Sequence, residues 1–261
     1  MPGSPALQSG ELHILRRKAL MKEVYEEVKE KLVEICKSQN LLTQPVKVRA
    51  RALTTEEAIG NPEADDFPLQ KGKERLMQAK FFQSLGQAFT DQYGDFEGTL
   101  GDILNGSLEN NFRRAVFVST VNAVLRYLGR IDKTIHCRDR EPADCATELA
   151  SYIKRNYGII KIALIGFQPR MVESLAAQFS LRVLDMDQDN IDARKFHVTI
   201  EGAEKTDETV GWADLVVVTG TTLVNGTIAN FLGKKHNFFY GTTISGVAHL
   251  MNWKRFCPRS H

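Results

Sequence analysis

The chain has 261 residues, 43% hydrophobic and 25% charged, with 34 Lys and Arg against 32 Asp and Glu for a formal net charge of +2. These values fit a globular chain of one or two domains with a sizeable core. So even a balance gives no electrostatic footing for nucleic acid or an anionic membrane. There is no apolar run of about eighteen residues and no basic start leading into an apolar signal core, so the expected location is the cytoplasm. The four cysteines, Cys36, Cys137, Cys145 and Cys257, are then expected as reduced thiols.

Leu20, Val24, Val28, Leu32 and Ile35 recur at helical spacing among Lys and Glu, which predicts a long amphipathic helix over residues 11–37. Its apolar stripe must pack on the rest of the chain or serve assembly into a homo-oligomer. Residues 46–52 alternate Val and Ala with Lys and Arg, the pattern of a half-exposed antiparallel strand. Residues 54–67 are acidic and carry Gly and Pro, a loop or lid leading into Phe67-Pro-Leu-Gln-Lys71-Gly72-Lys73-Glu74.

From 79 to 98 aromatic residues are interleaved with Gly, Lys, Asp and Glu. Two readings stand side by side: an irregular pocket-lining segment, or a pair of short strands over 78–85 and 87–90. Thr99-Leu-Gly-Asp102 matches a capping box, and 111–128 is an apolar helix stopped by Gly129. On that helix Asn122 and Arg126 share a face, either at a domain contact or toward water. Six of the eleven residues from Asp132 to Pro142 are ionised, which marks a linker; a helix over 142–157 follows and ends at Gly158.

The second half changes character. Residues 159–165 form a near-continuous apolar run ending at Gly166-Phe167-Gln168-Pro169, with Pro169 suited to a helix first turn. Residues 181–184 form the next strand, ending at Asp185 and Asp187, where a dinucleotide fold holds a ribose. The glycine fingerprint is absent, so a pyrophosphate is not expected at that turn. Two further buried strands end alike, Val218 in Thr219-Gly220-Thr221-Thr222 and Tyr240 in Gly241-Thr242-Thr243. As parallel neighbours they would offer N–H groups and hydroxyls to an oxyanion or polar ring at one sheet edge, or simply start the next helices. At the thiols, Cys137 with His136 and Cys257 with His261 form a soft ligand set for zinc or copper, against a plain packing role for buried cysteine.

The ordered set of Lys71-Gly72-Lys73, residues 86–90 and 95–100, Gly166-Phe167-Gln168-Pro169, Thr219 to Thr222 with Asn225-Gly226-Thr227, Gly241-Thr242-Thr243 and Phe256-Cys257-Pro258 resembles the heavy-metal chelation domain family. That resemblance implies an α/β fold, a Rossmann-like parallel-sheet domain preceded by a smaller α+β domain of enolase-N-terminal-like form. It also implies a ligand-binding or enzymatic site in the cleft between them. The expected division is 1–130 for the leader and 140–261 for the Rossmann-like domain.

Three functions follow as expectations. The first is binding of a transition metal or metal chelate through Cys257, His261, His136 and Cys137. The second is a small-molecule enzyme with Glu97, Asp95 and Lys71 as catalytic groups. Its ligand would be anionic or heteroaromatic, held by Lys73, Gly166, Phe167, Gln168, Asp185, Asp187, Thr219, Gly220, Thr221, Thr222, Asn225, Gly241, Thr242 and Thr243. The third is a non-catalytic sensor or assembly subunit. Nucleic acid and membrane are not expected partners.

Overall fold

The computed structural model describes residues 9–42, 47–61, 70, 73–233 and 236–261. The first helix, α1 (Ser9–Ser38), buries Met21, Val24, Tyr25, Val28, Leu32 and Cys36 along one stripe. That stripe is covered by the chain itself. Tyr25 donates its hydroxyl hydrogen to the Leu223 carbonyl at 2.9 Å, and Lys31 Nζ donates to the Leu250 carbonyl at 3.0 Å. From Met21 to Cys36 the apolar stripe is thus used in packing within the chain, while Leu15 stands exposed.

Four antiparallel strands follow: β1 (Lys47–Ala52), β2 (Arg75–Phe81), β3 (Ser84–Thr90) and β4 (Phe96–Thr99), in the order β3-β2-β1-β4. The aromatic segment with two readings is thus a hairpin, paired from Arg75 opposite Thr90 to Phe81 opposite Ser84. Within the acidic stretch after β1 a short helix, α2 (Thr55–Ile59), starts on a complete capping box at Thr54. The expected box at Thr99 and Asp102 opens α3 (Leu100–Leu104).

The long apolar helix α4 (Asn111–Tyr127) crosses the hairpin at Gly86. A Cβ added there would stand 2.3 Å from both the Ser119 carbonyl and the Ala123 nitrogen, so only glycine lets strand and helix backbones meet. Asn122, fully buried on α4, fixes the contact between the two halves. Its Nδ2 donates to the carbonyls of Gln87, Thr242 and Thr243 at 2.9–3.2 Å, while its Oδ1 accepts from the Gly246 N–H at 2.7 Å. Arg126 on the same helix donates to Thr134 and the His261 carbonyl. Of the two readings for this pair, a packed contact between the antiparallel and parallel-sheet halves is the one observed, not a face toward water.

Helix α5 (Glu141–Tyr157) leads into the second sheet, whose elements are β5 (Lys161–Ile165), α6 (Pro169–Ala176), β6 (Ser180–Leu184), β7 (Arg194–Lys195), β8 (Val198–Glu201), α7 (Thr206–Trp212), β9 (Leu215–Thr219), α8 (Thr221–Val224), β10 (Asn237–Tyr240), α9 (Ser245–Leu250) and β11 (Arg255–Phe256). The strands lie in the order β11-β10-β9-β5-β6-β8-β7, parallel except for β7 against β8. From β8 to β11 this is the doubly wound order, which reverses direction between β5 and β9.

The unbroken apolar strands have a simple cause. In β9, Leu215 and Val217 pack with α5 and α6, while Val216 and Val218 join α1, α4 and the hairpin in the other core. Both faces being covered, alternation would place polar groups in a core. Each such side chain contributes about 1.5–3 kcal/mol by burial. The larger core therefore runs from the antiparallel hairpin through to the parallel sheet. None of the described helices is long and apolar enough to cross a membrane.

Candidate functional site

A cavity of about 420 Å³ opens where the parallel strands end against the hairpin. That volume lies in the range of small-molecule sites. Ile165 of β5, Leu184 of β6, Thr219 of β9 and Tyr240 of β10 all reach it, as do Ala203 beyond β8 and Cys257 beyond β11. The edge faces the reversal between β5 and β9, where the helices on either side diverge and leave the space open. From the antiparallel half come Lys73 and Glu74 at the start of the hairpin and Phe89, Thr90 and Asp91 at its end.

The turns are built for close approach. Gly166 has φ +94, and a Cβ there would stand 2.8 Å from the Thr219 side chain and 3.1 Å from the Tyr240 hydroxyl. Both Asp185 oxygens brace this corner, accepting from the Phe167 N–H at 2.5 Å and the Asp187 N–H at 2.7 Å. Its carboxylate is thus engaged with backbone at the cavity edge. Gln168 also lines the cavity, but its Oε1 caps α6 by accepting from the Met171 N–H at 2.7 Å.

The two Gly-Thr-Thr turns are parallel neighbours, with Thr219 in register with Tyr240, but they are not equivalent. Thr219 and Thr221 point hydroxyls at each other across 3.2 Å beside the cavity. Thr222 is buried and bonded to the Thr219 carbonyl. Thr243 accepts from the Phe89 N–H at 3.0 Å, tying sheet to hairpin. Thr242 is fully buried, away from the cavity lining, and its hydroxyl has no partner among the described residues. A ligand role for Thr242 is therefore set aside. Asn225 lines the cavity while its Oδ1 accepts from Thr227.

Two chemistries face the space. One wall carries Glu74, Asp91, Asp185 and Asp187. Burial, then the neighbouring charges of Asp185, Asp91 and Asp187, push Glu74 up from 4.5 to about 7. The other wall carries His136, Cys137, Cys145 and Cys257. Burial pushes the Cys137 thiol well above its ordinary value and Cys145 up to about 12. It also holds His136 neutral, its pKa lowered to about 4. The His136 ring stands edge-on to Phe89 at 5.2 Å between centroids, its Nδ1 buried with no partner among the described residues.

Several expected residues lie elsewhere. Glu97 and Asp95 are exposed at β4, opposite Arg49 and near Arg51 of β1, because the antiparallel pairing carries that end of the segment away from the cleft. In their place the hairpin brings Glu74 and Asp91 to the cavity, with Lys73 beside Glu74; Lys71 lies outside the described residues. His261 turns its ring outward to Glu141 at 2.9 Å and does not join Cys257. Glu74, Asp91 and Tyr240 were missed. A signal existed for Tyr240, a polar-tipped residue closing an apolar strand; Glu74 and Asp91 become neighbours only through hairpin pairing.

The soft donors at the thiol wall are of the right kind for a heavy metal, but burial keeps Cys137 and Cys145 protonated. Among the described residues no group of three His, Cys, Asp or Glu side chains is arranged to hold an ion. As placed, these residues do not fit a bound metal.

Fold and cleft together define a doubly wound α/β protein with a site at its strand reversal. Residues 153–237 match the model of the DUF364 family, described as "Putative heavy-metal chelation". A DUF364-family protein of unknown function from Pyrococcus horikoshii has a similar structure, with TM-score 0.51, 20% identity, and coverage of 84% of this chain and 79% of that one. Another, from Desulfitobacterium hafniense, gives TM-score 0.45 and 12% identity over 68% of this chain and 72% of that one. No curated protein matches the sequence. The family resemblance seen in the sequence is thus present by sequence over 153–237 and the α/β fold over most of the chain.

Proposed function

We propose that the cleft cavity binds a small organic ligand that is positively charged or rich in hydrogen-bond donors, and that Glu74 exchanges a proton with it. The observation that carries this reading is the wall of Glu74, Asp91, Asp185 and Asp187, against which Lys73 is the one cationic side chain among the described lining residues. An anion, the ligand that Gly-Thr-Thr turns would invite, meets repulsion from that wall in a partly desolvated space. Glu74, raised to about 7, is poised near neutrality, the condition for a general acid or base. Thr219 and Thr221 supply hydroxyls at the facing strand ends.

The family description favours a second reading, in which the ligand carries a metal. The three thiols elsewhere in the lining support it by donor type, and they would have to draw together to act. Thermal-shift measurement with size-matched cationic and anionic heteroaromatic compounds, beside metal analysis of protein purified without chelator, separates these. Stabilisation by the cations with no stoichiometric metal is expected. Stabilisation by anions alone contradicts the first reading, and a stoichiometric soft metal favours the second.

A further inference from the structure

The thiol wall is assembled from three separate pieces of chain. Cys137 closes the segment after α4, Cys145 sits in the second turn of α5, and Cys257 begins a strap over residues 257–261. The strap is clamped on both sides. On one side His261 exchanges both backbone hydrogen bonds with Ile135 at 2.8 and 2.9 Å, and Lys133 Nζ donates to the Pro258 carbonyl at 3.1 Å. On the other, Glu141, Cys145 and Glu148 follow at i, i+4 and i+7 along one face of α5. Glu141 meets the His261 ring, the Arg259 backbone N–H reaches the Cys145 sulfur, and Glu148 pairs with the Arg259 side chain.

Cys137 and Cys257 line the same cavity with their sulfurs within electrostatic reach of each other, and Cys145 is within such reach of both. Cys145 already accepts the Arg259 N–H, whereas Cys257 is the partly exposed thiol of the three. The proposed ligand reading uses none of these groups.

We propose that Cys137 and Cys257 form a reversible disulfide under peroxide, a modification that fastens the strap across the cavity wall. Cys257, as thiolate, attacks one peroxide oxygen; the O–O bond breaks, hydroxide leaves and a sulfenic acid forms. The Cys137 sulfur then displaces that hydroxyl group, the S–S bond forms, and the thiol proton leaves with the oxygen as water. Two thiols are oxidised and one peroxide is reduced to two waters. Burial of Cys137 makes this step slow without catalysis, which suits a response to sustained exposure over a brief pulse.

Trypsin separates the three thiols cleanly, into peptides 134–138, 141–154 and 256–259. After hydrogen peroxide treatment of the full chain, non-reducing peptide mapping should find 134–138 joined to 256–259, lighter by two hydrogens than their sum. Dithiothreitol should separate them, and Cys145→Ser should leave the link intact while Cys257→Ser removes it. The thermal unfolding midpoint of the oxidised wild type should rise, because the bridge closes a long loop in the unfolded chain. A link between 141–154 and 256–259, a link between two molecules, or Cys257 carried to sulfinic acid with no link would each overturn the proposal. Mapping of the wild type decides it even where a variant does not fold.

Discussion

The carboxylate wall and the thiol wall face one cavity and are shaped by the same force, with opposite results. Burial disfavours charge on both. At Glu74 it lifts an acid from 4.5 to about 7, into the range where it gains and loses protons at neutrality. At Cys137 and Cys145 it lifts thiols that start near 9 further out of that range, and at His136 it drops an imidazole below it. Desolvation therefore activates one wall and silences the other. The starting value of the group, more than its type, decides which wall does proton chemistry.

The largest perturbation removes the contact that joins the hairpin to the parallel sheet. Asn122→Leu leaves the carbonyls of Gln87, Thr242 and Thr243 and the Gly246 N–H without their buried partner. A loss of about 4 kcal/mol in unfolding free energy is expected, measured by denaturant titration. A loss below about 1 kcal/mol would show that the two halves do not depend on this contact.

The opposite effects of burial on Glu74 and His136 appear together in stability against pH. Glu74, raised from 4.5 to about 7, binds its proton more tightly when folded, so its contribution is present below pH 4.5 and is lost as pH rises to 7. His136, lowered from 6.5 to about 4, contributes stability that is present above pH 6.5 and is lost as pH falls to 4. Each is worth up to about 3 kcal/mol, and the slopes oppose each other over the shared window. Unfolding free energy of the wild type should thus change little between pH 4.5 and 6.5. Glu74→Gln should leave the rising slope and His136→Gln the falling one. Parallel slopes in the two variants would break the comparison.

A smaller effect separates the two Gly-Thr-Thr turns. Thr221→Val should weaken binding of a stabilising cation by about 1 kcal/mol, read by calorimetry, with little change in folding. Thr242→Val should leave binding unchanged, since its hydroxyl, with no partner among the described residues, is buried away from the cavity lining. Equal losses in both would return the second turn to the site.

Much of this frame was legible in the sequence because local rules governed it. The capping box at Thr99, Pro169 at a helix start and the apolar strands over 161–165, 215–219 and 237–240 needed no tertiary knowledge. The carboxylate wall was not legible. Glu74 and Asp91 sit 17 positions apart and meet only because β2 and β3 pair from Arg75 to Thr90. Glu97 carried the more suggestive setting, among aromatics and glycines, but β4 pairs with β1 and places it on the far side. Cys257 and Cys137 were linked by type alone; the strap that joins them rests on backbone hydrogen bonds that side-chain identity does not encode.

Glu74 is proposed as the titrating group of the cleft. Carbon-13 NMR of the glutamate carboxyl groups, compared between wild type and Glu74→Gln, tests it most directly. The account predicts one resonance with a midpoint near pH 7, absent from the variant. If the resonance lost in the variant instead titrates near pH 4.5, Glu74 is an ordinary solvated carboxylate and the proton chemistry proposed for this wall is contradicted.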